Sequence, residues 1–427
     1  MLAVVGLAGC GATAHTPSAP PRSPEAPARM RMAGPGTRSE RARRLRSLER
    51  TLALTLRGVR ASGAAVYDLT DHRALFARAA RVARPPASVE KLYTTVAVLS
   101  RLGPSARLTT TVLGAGHLGH RGTWHGRLYL RGGGDPTFGD EAFNQTWSDG
   151  LGPTAAELVS QLAARGIRRV SGRVVGDPSL FDSSPGGPNS GFAPDIPDLG
   201  GELAGLVYDH GATAGVLSPG AFAARELART MRREHIRARA RRVTAAAPSG
   251  ARRLAAASSP TMLAMLGLMN VRSDDLFAEM LTKQLGVRFG AGGTTAAGAR
   301  VISSAVARSG LKPAIVDGSG LSRADRSSPQ QVVSLLRSLW HTTLGHELDS
   351  TLPVVGVSGT TAHIGVHTRA QGRCRAKTGT LDGVTNLAGY CQAAGGHTLA
   401  FALFLDGPTL EQARGLLSRL VGAIAAY

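Results

Sequence analysis

The chain has 427 residues and a mass of 44.2 kDa, which at roughly 150 residues per domain predicts two or three domains. Its hydrophobic share of 43% can build a core and excludes wholesale disorder, and no apolar run reaches the roughly 18 residues of a membrane span. Three cysteines exclude a disulfide scaffold and a cysteine-cluster metal domain. We therefore expect a globular protein of several domains.

The chain is strongly basic, because 50 Lys and Arg residues against 29 Asp and Glu residues give a net charge of +21. The excess is concentrated in residues 22–60 and 225–242, and only four of the basic residues are lysines. Neither stretch interleaves aromatic residues for base stacking or carries a nucleic-acid-binding signature. We expect a solvated basic surface and no nucleic-acid partner, with an arginine-rich polyanion binder as the open alternative.

Residues 1–40 are predicted to be an export signal followed by a tether. The segment Leu7-Ala8-Gly9-Cys10 matches the lipobox at which bacterial lipoproteins are cleaved and lipidated on cysteine, but the preceding apolar stretch is short. Lipidation of Cys10 and an accidental match therefore stay open. Six prolines from Pro17 to Pro35 are typical of an extended tether. These features indicate an extracytoplasmic protein of the bacterial envelope, associated with the membrane if Cys10 is lipidated.

The globular part is predicted to open with a helix and two strands. Leucines recur at helical spacing over residues 41–54. Residues 63–68 and 74–76 have the composition of two strands joined by a turn. The chain thus indicates a mixed α and β fold from its first elements.

Ser88 is predicted to lie in the first turn of a helix. Pro85 and Pro86 favour an extended entry, and the apolar spacing of residues 92–99 is helical. Lys91 then lies three residues on, one turn along the same face.

That spacing has a chemical use. A serine hydroxyl is a poor nucleophile unless a base lies within hydrogen-bond reach, and a desolvated Lys91 can act as that base for Ser88. The helix start adds amide donors that favour a developing oxyanion. The same spacing recurs from Ser309, but there Gly310 and Pro313 break any helix. Only the first occurrence has a useful context.

Two further motifs carry candidate residues. Ser273 and Asp275 lie in a short connection between two helical stretches, where a serine can relay a proton. Lys377-Thr378-Gly379-Thr380 ends a predicted strand before a turn and a return strand. Glycine at a strand edge lets a ligand approach closely, and Lys and Thr side chains suit a substrate carboxylate.

The motifs at Ser88, Ser273 and Lys377, in this order, resemble those of the class C low-molecular-mass penicillin-binding proteins. These form the D-alanyl-D-alanine carboxypeptidase/endopeptidase family, peptidase family S13. The likeness runs along most of residues 60–425. It includes the strand Leu128–Pro136, which ends in Gly-Asp-Pro, and the Asp-Gly-Ser-Gly-Leu-Ser-Arg segment within Val316–Arg323.

The resemblance implies an α/β (α+β) fold: a transpeptidase/β-lactamase-like α/β/α sandwich with an antiparallel sheet and an inserted β-containing module. Strand-rich patterns from Thr109 to Leu130 and near Asp177 support the insertion. The basic stretch 225–242 falls inside it, and we expect it on a helix. The expected parts are residues 1–40 for the export segment, 41–100 and 255–427 for the transpeptidase domain, and 101–254 for the insertion.

The resemblance also implies a serine DD-peptidase that cleaves peptidoglycan stem peptides and is acylated by β-lactam antibiotics. Ser88 is the implied nucleophile, Lys91 the base that takes its proton, and Ser273 the relay to the leaving D-alanine. The amides of Ser88 and Thr380 are the implied oxyanion hole. The implied substrate-binding residues are Lys377, Thr378, Gly379 and Thr380. The choice between carboxypeptidase and endopeptidase stays open.

Asp275 departs from the family pattern, in which the second motif ends in Asn. An amide can donate a hydrogen bond to the substrate backbone, whereas an ionised carboxylate cannot. A carboxylate beside Lys91 also favours the ammonium form of that lysine. The alternative function is therefore a penicillin-binding pseudo-enzyme with little turnover.

No metal and no cofactor are expected. His117, His120 and His125 cluster in a glycine-rich turn without a nearby carboxylate or cysteine, which favours a surface loop. Cys374 and Cys391 lie on the strands that flank the Lys377 motif. A bond across this hairpin is open, but we expect two free buried cysteines.

Overall fold

The computed structural model describes residues 37–59, 61–186, 200–212 and 217–427. The strands are β1 (Ala61–Asp68), β2 (Arg73–Arg78), β3 (Thr109–Leu118), β4 (Thr123–Arg131), β5 (Arg169–Val170), β6 (Val174–Asp177), β7 (Arg252–Ser258), β8 (Cys374–Leu381), β9 (Val384–Gln392) and β10 (Thr398–Asp406). The helices are α1 (Arg38–Arg57), α2 (Lys91–Leu102), α3 (Glu141–Trp147), α4 (Ala155–Ala164), α5 (Pro219–Arg233), α6 (Met262–Arg272), α7 (Asp275–Phe289), α8 (Thr295–Ala307), α9 (Pro329–Leu339), α10 (Thr343–Thr351) and α11 (Leu410–Ala426).

The first sheet is antiparallel and has the strand order β2-β1-β10-β9-β8. Its central strand β10 is buried on both faces, and its side chains alternate between two cores. Phe401 and Leu403 pack with Leu52 of α1 and Leu417 of α11. Phe404 packs with the helices on the other face, α2 and α6 to α10 among them. The expected α/β/α sandwich with an antiparallel sheet is therefore confirmed.

The second sheet contains β5-β4-β3-β7, with β6 also pairing with β4. β3, β4 and β7 pair antiparallel, whereas β5 and β6 lie parallel to β4. Helices α4 and α5 cover it through a separate core that includes Trp124, Leu158 and Leu227. The division into domains stays a prediction, and β7 crosses the expected boundary at residue 254.

Local signals explain where the first elements begin. Helix α1 starts at Arg38 because the Thr37 side chain accepts from the Glu40 amide while the Glu40 side chain accepts from the Thr37 amide. The two predicted strands are present as β1 and β2.

No helix among the described residues is long and apolar enough to cross a membrane, and Cys10 lies outside those residues.

The expectation of a helix over the whole basic stretch 225–242 is wrong. Helix α5 ends at Arg233, and His235 has a φ of 58°. Arg237 and Ala240 then form parallel bridges to the second sheet. Hydrogen bonding to the strand edge satisfies the backbone there, so the second half of the stretch is extended.

The expectation of two free cysteines is also wrong. Cys374 and Cys391 lie directly opposite each other on β8 and β9 and form a disulfide with an S–S distance of 2.01 Å. Strand register decides this outcome, because it brings their Cα atoms to 4.0 Å. Both side chains are buried in the core between the sheet and α11.

Candidate active site

Ser88 lies in a short 3-10 turn, Ala87–Glu90, that runs directly into α2. The predicted position at a helix start is thus confirmed. A residue far away in the sequence holds this turn in place. The side-chain amide of Asn386 on β9 donates to the carbonyls of Pro85 and Pro86, at 3.0 and 2.9 Å. The carbonyl oxygen of Asn386 accepts from the Leu405 amide at 3.2 Å, which orients the side chain.

Lys91 is fully buried and its ammonium has three acceptors. Nζ donates to Ser88 Oγ at 2.9 Å, to the Ser319 carbonyl at 2.7 Å and to Asp275 Oδ1. An ammonium has three N–H groups, so the protonated lysine is fully satisfied. A neutral amine has two N–H groups and one lone pair. If Asp275 and Ser319 keep the two N–H bonds, the lone pair is directed at the Ser88 hydroxyl.

The second motif is shaped by the junction of α6 and α7. Ser273 ends α6 in the left-handed conformation, with φ 60° and ψ 38°. Asp274 caps α7 by accepting from the Phe277 amide at 2.9 Å, and its other oxygen contacts His210 Nε2 at 2.8 Å. Asp275 is therefore the first residue of α7, where it pairs with Lys91.

Lys377 brings the third motif to the second. Its Nζ donates to Ser273 Oγ at 2.7 Å and to the Thr378 carbonyl at 3.0 Å. The third N–H of the ammonium has no acceptor among the residues that the structure describes. Burial lowers the pKa of Lys377 well below its ordinary value; the charge of Lys91 adds to this shift and that of Asp275 opposes it. A ligand carboxylate would favour the ammonium form.

Asp275 is subject to two opposing effects. Burial raises the pKa of its carboxyl above the ordinary value, while the adjacent Lys91 ammonium opposes the rise. The contact with Lys91 Nζ shows an ion pair, and we take the charged pair as the resting form. With Lys91 paired to Asp275, protonation of Lys377 on binding would supply the positive charge that faces a bound anionic group.

Gly379 is the point where β8 passes the turn that contains Ser88. A Cβ atom at this position would lie 2.5 Å from the Pro86 carbonyl oxygen and 3.1 Å from the Ser88 amide nitrogen. Only glycine permits this approach. On either side, Thr378 is buried with its hydroxyl 2.7 Å from that of Thr360, and Thr380 is exposed.

Four buried carboxyl groups form an acidic layer next to the loop that contacts Lys91; they belong to Glu90, Glu279, Asp317 and Asp325. Glu279 Oε1 accepts from the amides of Gly318 and Ser319, each at 2.9 Å. Asp317 accepts from the amides of Gly320 and Ser322, each at 2.7 Å. These bonds hold the loop 317–322, whose Ser319 carbonyl accepts from Lys91.

Several of these carboxyl groups resist ionisation. Burial and the neighbouring Asp317 raise the pKa of Glu279 to about 7, and burial with the charge of Glu90 raises that of Asp325 to about 8. Burial also raises the pKa of Asp317 and of Glu90 well above their ordinary values. The layer therefore carries less charge near neutrality than its four carboxyl groups suggest.

One group of described residues has the composition of a cation site. Asp68, Asp71 and His397 place ligand atoms within 4.8 Å of one another at the end of β1. However, Asp71 is 3.1 Å from Arg41 and 3.8 Å from Arg73. These guanidinium groups already compensate the carboxylate, so the residues form an ion-pair network.

The structure brings Ser88, Lys91, Ser273, Asp275 and Lys377 together. It also shows contributors that sequence reasoning missed. The sequence around Asn386 does not indicate its role, because the turn to which it donates lies 300 residues earlier in the chain. Ser319 lies in the Asp-Gly-Ser-Gly-Leu-Ser-Arg segment, which was noted only as part of the resemblance and was given no role. Glu279 lies on α7 and accepts hydrogen bonds from the amides of that segment.

The family model for the D-Ala-D-Ala carboxypeptidase 3 (S13) family matches residues 48–195 and 198–424. The chain is 31% identical over 373 residues to carboxypeptidase DacB of Mycolicibacterium smegmatis, covering 81% of this chain and 76% of that protein. It is 36% identical over 143 residues to a D-alanyl-D-alanine carboxypeptidase of Actinomadura sp., covering 32% of this chain and 26% of that protein.

Solved structures show the same fold. Penicillin binding protein 4 (dacB) of Haemophilus influenzae superposes with a TM-score of 0.75 at 20% identity, covering 88% of this chain and 99% of that one. The same protein in complex with a β-lactam superposes with a TM-score of 0.70 at 19% identity, with the same coverage of both chains.

Replacing Gly379 by Ala should slow acylation of the site without unfolding the protein. The added methyl group would force β8 away from the nucleophile turn, displacing Lys377 and Thr380 relative to Ser88. We expect at least a tenfold lower acylation rate with a labelled penicillin. Gly415→Ala is the control, since a Cβ there meets nothing within 4 Å. Equal rates in both variants would contradict the close-approach argument.

Replacing Asp325 by Asn should make stability less dependent on pH. An unfolded aspartate loses its proton near pH 4, whereas folded Asp325 keeps it to about pH 8. The folded state then binds more protons across this window, so its stability falls as pH rises. We expect urea unfolding at pH 5 and pH 8 to show a smaller difference for the variant. Asp382→Asn, an exposed control, should retain the wild-type difference; an unchanged difference in Asp325→Asn would refute the assignment.

Proposed function

Because this chain belongs to the D-Ala-D-Ala carboxypeptidase 3 (S13) family, it is a serine-type DD-peptidase, and we propose that Ser88 is its nucleophile. The observation that carries the proposal is the contact of Lys91 Nζ with Ser88 Oγ at 2.9 Å. The second contact, between Lys377 Nζ and Ser273 Oγ at 2.7 Å, joins the relay serine to the carboxylate-binding lysine. The pseudo-enzyme alternative that Asp275 raised is not favoured.

Acylation follows from these contacts. Ser88 Oγ attacks the carbonyl carbon of the penultimate D-alanine, and Lys91, once its ammonium has lost a proton to solvent, takes the hydroxyl proton. The amides of Ser88 and Thr380 stabilise the tetrahedral oxyanion. As the C–N bond breaks, the proton passes from Lys91 through Ser273 to the leaving amine. The products are the Ser88 ester and free D-alanine.

Substrate binding uses the opposite end of the site. The terminal carboxylate of the peptide pairs with the Lys377 ammonium and accepts from the hydroxyls of Thr378 and Thr380. Water then attacks the Ser88 ester, and Lys91 serves as the base for that step. A β-lactam enters the same acylation path, but its leaving group stays tethered.

Peptidoglycan stem peptides are the proposed substrate, and the proposed location is the cell envelope. Support comes from the family and from the names of the relatives. Lipid anchoring at Cys10 is a separate proposal, because Cys10 lies outside the described residues. Digestion of purified peptidoglycan would distinguish release of terminal D-alanine from cleavage of cross-links.

Ser88→Ala should abolish covalent labelling by a fluorescent penicillin, because the acylated oxygen is gone. Ser309→Ala is the matched control. It has the same spacing to a lysine, but it follows the end of α8 at Ala307 and is exposed. Labelling that persists in Ser88→Ala but is lost in Ser309→Ala would overturn the assignment of the nucleophile.

Asp275→Asn should raise turnover of a D-Ala-D-Ala peptide. The amide can donate to the substrate backbone, and removing the carboxylate stops it favouring the ammonium form of Lys91. A hydrogen bond involving a charged group is worth about 1.5–3 kcal/mol, which allows a gain of roughly tenfold or more. Kinetics from pH 5 to pH 9 should also show activity extending to lower pH. An unchanged or slower variant would show that the site has adapted to Asp275.

A further inference from the structure

A groove of about 850 Å³ lies along the edge of the second sheet, outside the catalytic site. Its lining includes Val170 and Ile236, which are buried and belong to the core of the second sheet. No carboxylate lines it; Glu234 precedes a lining residue but is not part of the lining. The ionisable residues that line the groove are Arg169, Arg173, Arg232, His235, Arg237 and Arg239.

The backbone arranges these arginines in rows. The Arg237 amide donates to the Arg168 carbonyl at 3.0 Å, and the Val170 amide donates to the Arg237 carbonyl at 2.8 Å. Arg237 and Arg239 are exposed while Ala238 between them is buried, so both arginines point to the solvent face. Side chains on one face of a strand repeat about every 6.6 Å. Arg237 and Arg239 thus present two guanidinium groups at this spacing, whereas the Arg232 guanidinium donates to the carbonyls of Ala228 and Ala238.

The arrangement places like charges opposite each other. Arg169 and Arg237 form a parallel bridge, and like charges at facing positions destabilise a sheet. Within the described ranges, none of the five groove arginines forms an ion pair with a carboxylate. Arg131 and Arg272, by contrast, pair with Asp177 and Asp149 at 2.8 and 2.7 Å. An external anion would relieve the repulsion in the groove.

The arginine-rich composition explains the number of charges but not their placement in a concave site. Helix α1 shows what composition alone produces: Arg43, Arg46 and Arg50 are exposed along one convex helical face. The groove adds a strand register and a concave shape. These are features that a bound chain can use.

We propose that this groove binds a linear polymer that carries phosphodiester groups, such as an anionic polymer of the cell envelope. The planar guanidinium fork matches phosphate oxygens, and several forks in a row suit a repeating anion. Among the described residues, no Phe, Tyr or Trp side chain lines the groove, so it lacks the large stacking platform that single-stranded nucleic acids use. The envelope source of the polymer rests on the proposed function; the phosphodiester chemistry does not.

The test measures binding of poly(glycerol phosphate) to the full chain by isothermal titration calorimetry. The groove variant is Arg169→Gln/Arg237→Gln/Arg239→Gln, and the control is Arg43→Gln/Arg46→Gln/Arg50→Gln, which loses the same charge. We expect the groove variant to bind at least tenfold more weakly. The slope of its log affinity against log salt concentration should also fall by the amount that corresponds to about two to three lost phosphate contacts. The control should stay within about twofold of the unmodified chain.

Equal weakening in both variants would overturn the proposal, since net charge alone would then explain binding. Binding of an oligothymidylate at least as tight as that of poly(glycerol phosphate) would also overturn it, in favour of a nucleic-acid site. Penicillin acylation should be unchanged in both triple variants. This readout keeps a failure of the groove proposal separate from a failure of the proposed function.

Thermal unfolding without ligand gives a second measurement. Loss of facing like charges should leave the groove variant at least as stable as the unmodified chain. Poly(glycerol phosphate) should then raise the unfolding temperature of the unmodified chain and of the control, but not of the groove variant. A groove variant that is less stable without ligand and is still stabilised by the polymer would contradict the proposal.

Discussion

The buried ammonium of Lys91 is the constraint on which the catalytic site depends. A cation removed from water is costly unless its donors are all satisfied. Lys91 meets this demand with acceptors from three separate segments: Ser88 in its own turn, Asp275 at the start of α7, and Ser319 in the loop 317–322. These segments come together around one nitrogen atom, and the Ser88 hydroxyl, the proposed nucleophile, is oriented as a consequence.

The same demand recurs one layer deeper. The loop that offers the Ser319 carbonyl is held by carboxyl groups of Glu279 and Asp317, which accept its amides. Those groups are themselves buried, and burial raises their pKa values. Gly320, with a φ of +84°, lets this loop touch the Ala87 carbonyl, where a Cβ atom would come to 2.0 Å. The loop therefore connects the nucleophile turn to the acidic layer.

Catalysis and surface charge are separated between the two sheets. The first sheet carries Lys377 on β8 and packs beside the Ser88 turn, where Lys91 pairs with Asp275. The second sheet exposes arginines along β5 and the extended segment after α5, and none of these arginines pairs with a carboxylate of the described residues.

The sequence by itself determined the parts that depend on local spacing and on motifs. Ser88 and Lys91 are one helical turn apart, so their contact was predictable, and glycine and proline excluded Ser309 for the same local reason. The motifs at Ser273 and Lys377 were identified from their local context, and the resemblance supplied their implied roles and the sandwich fold. Only the tertiary structure decided the roles of Asn386 and Ser319, the Cys374–Cys391 bond and the facing arginines. Those features depend on strand register and on backbone carbonyl groups. Every residue carries a backbone carbonyl, so the pattern of side chains in the sequence does not reveal which one accepts a hydrogen bond.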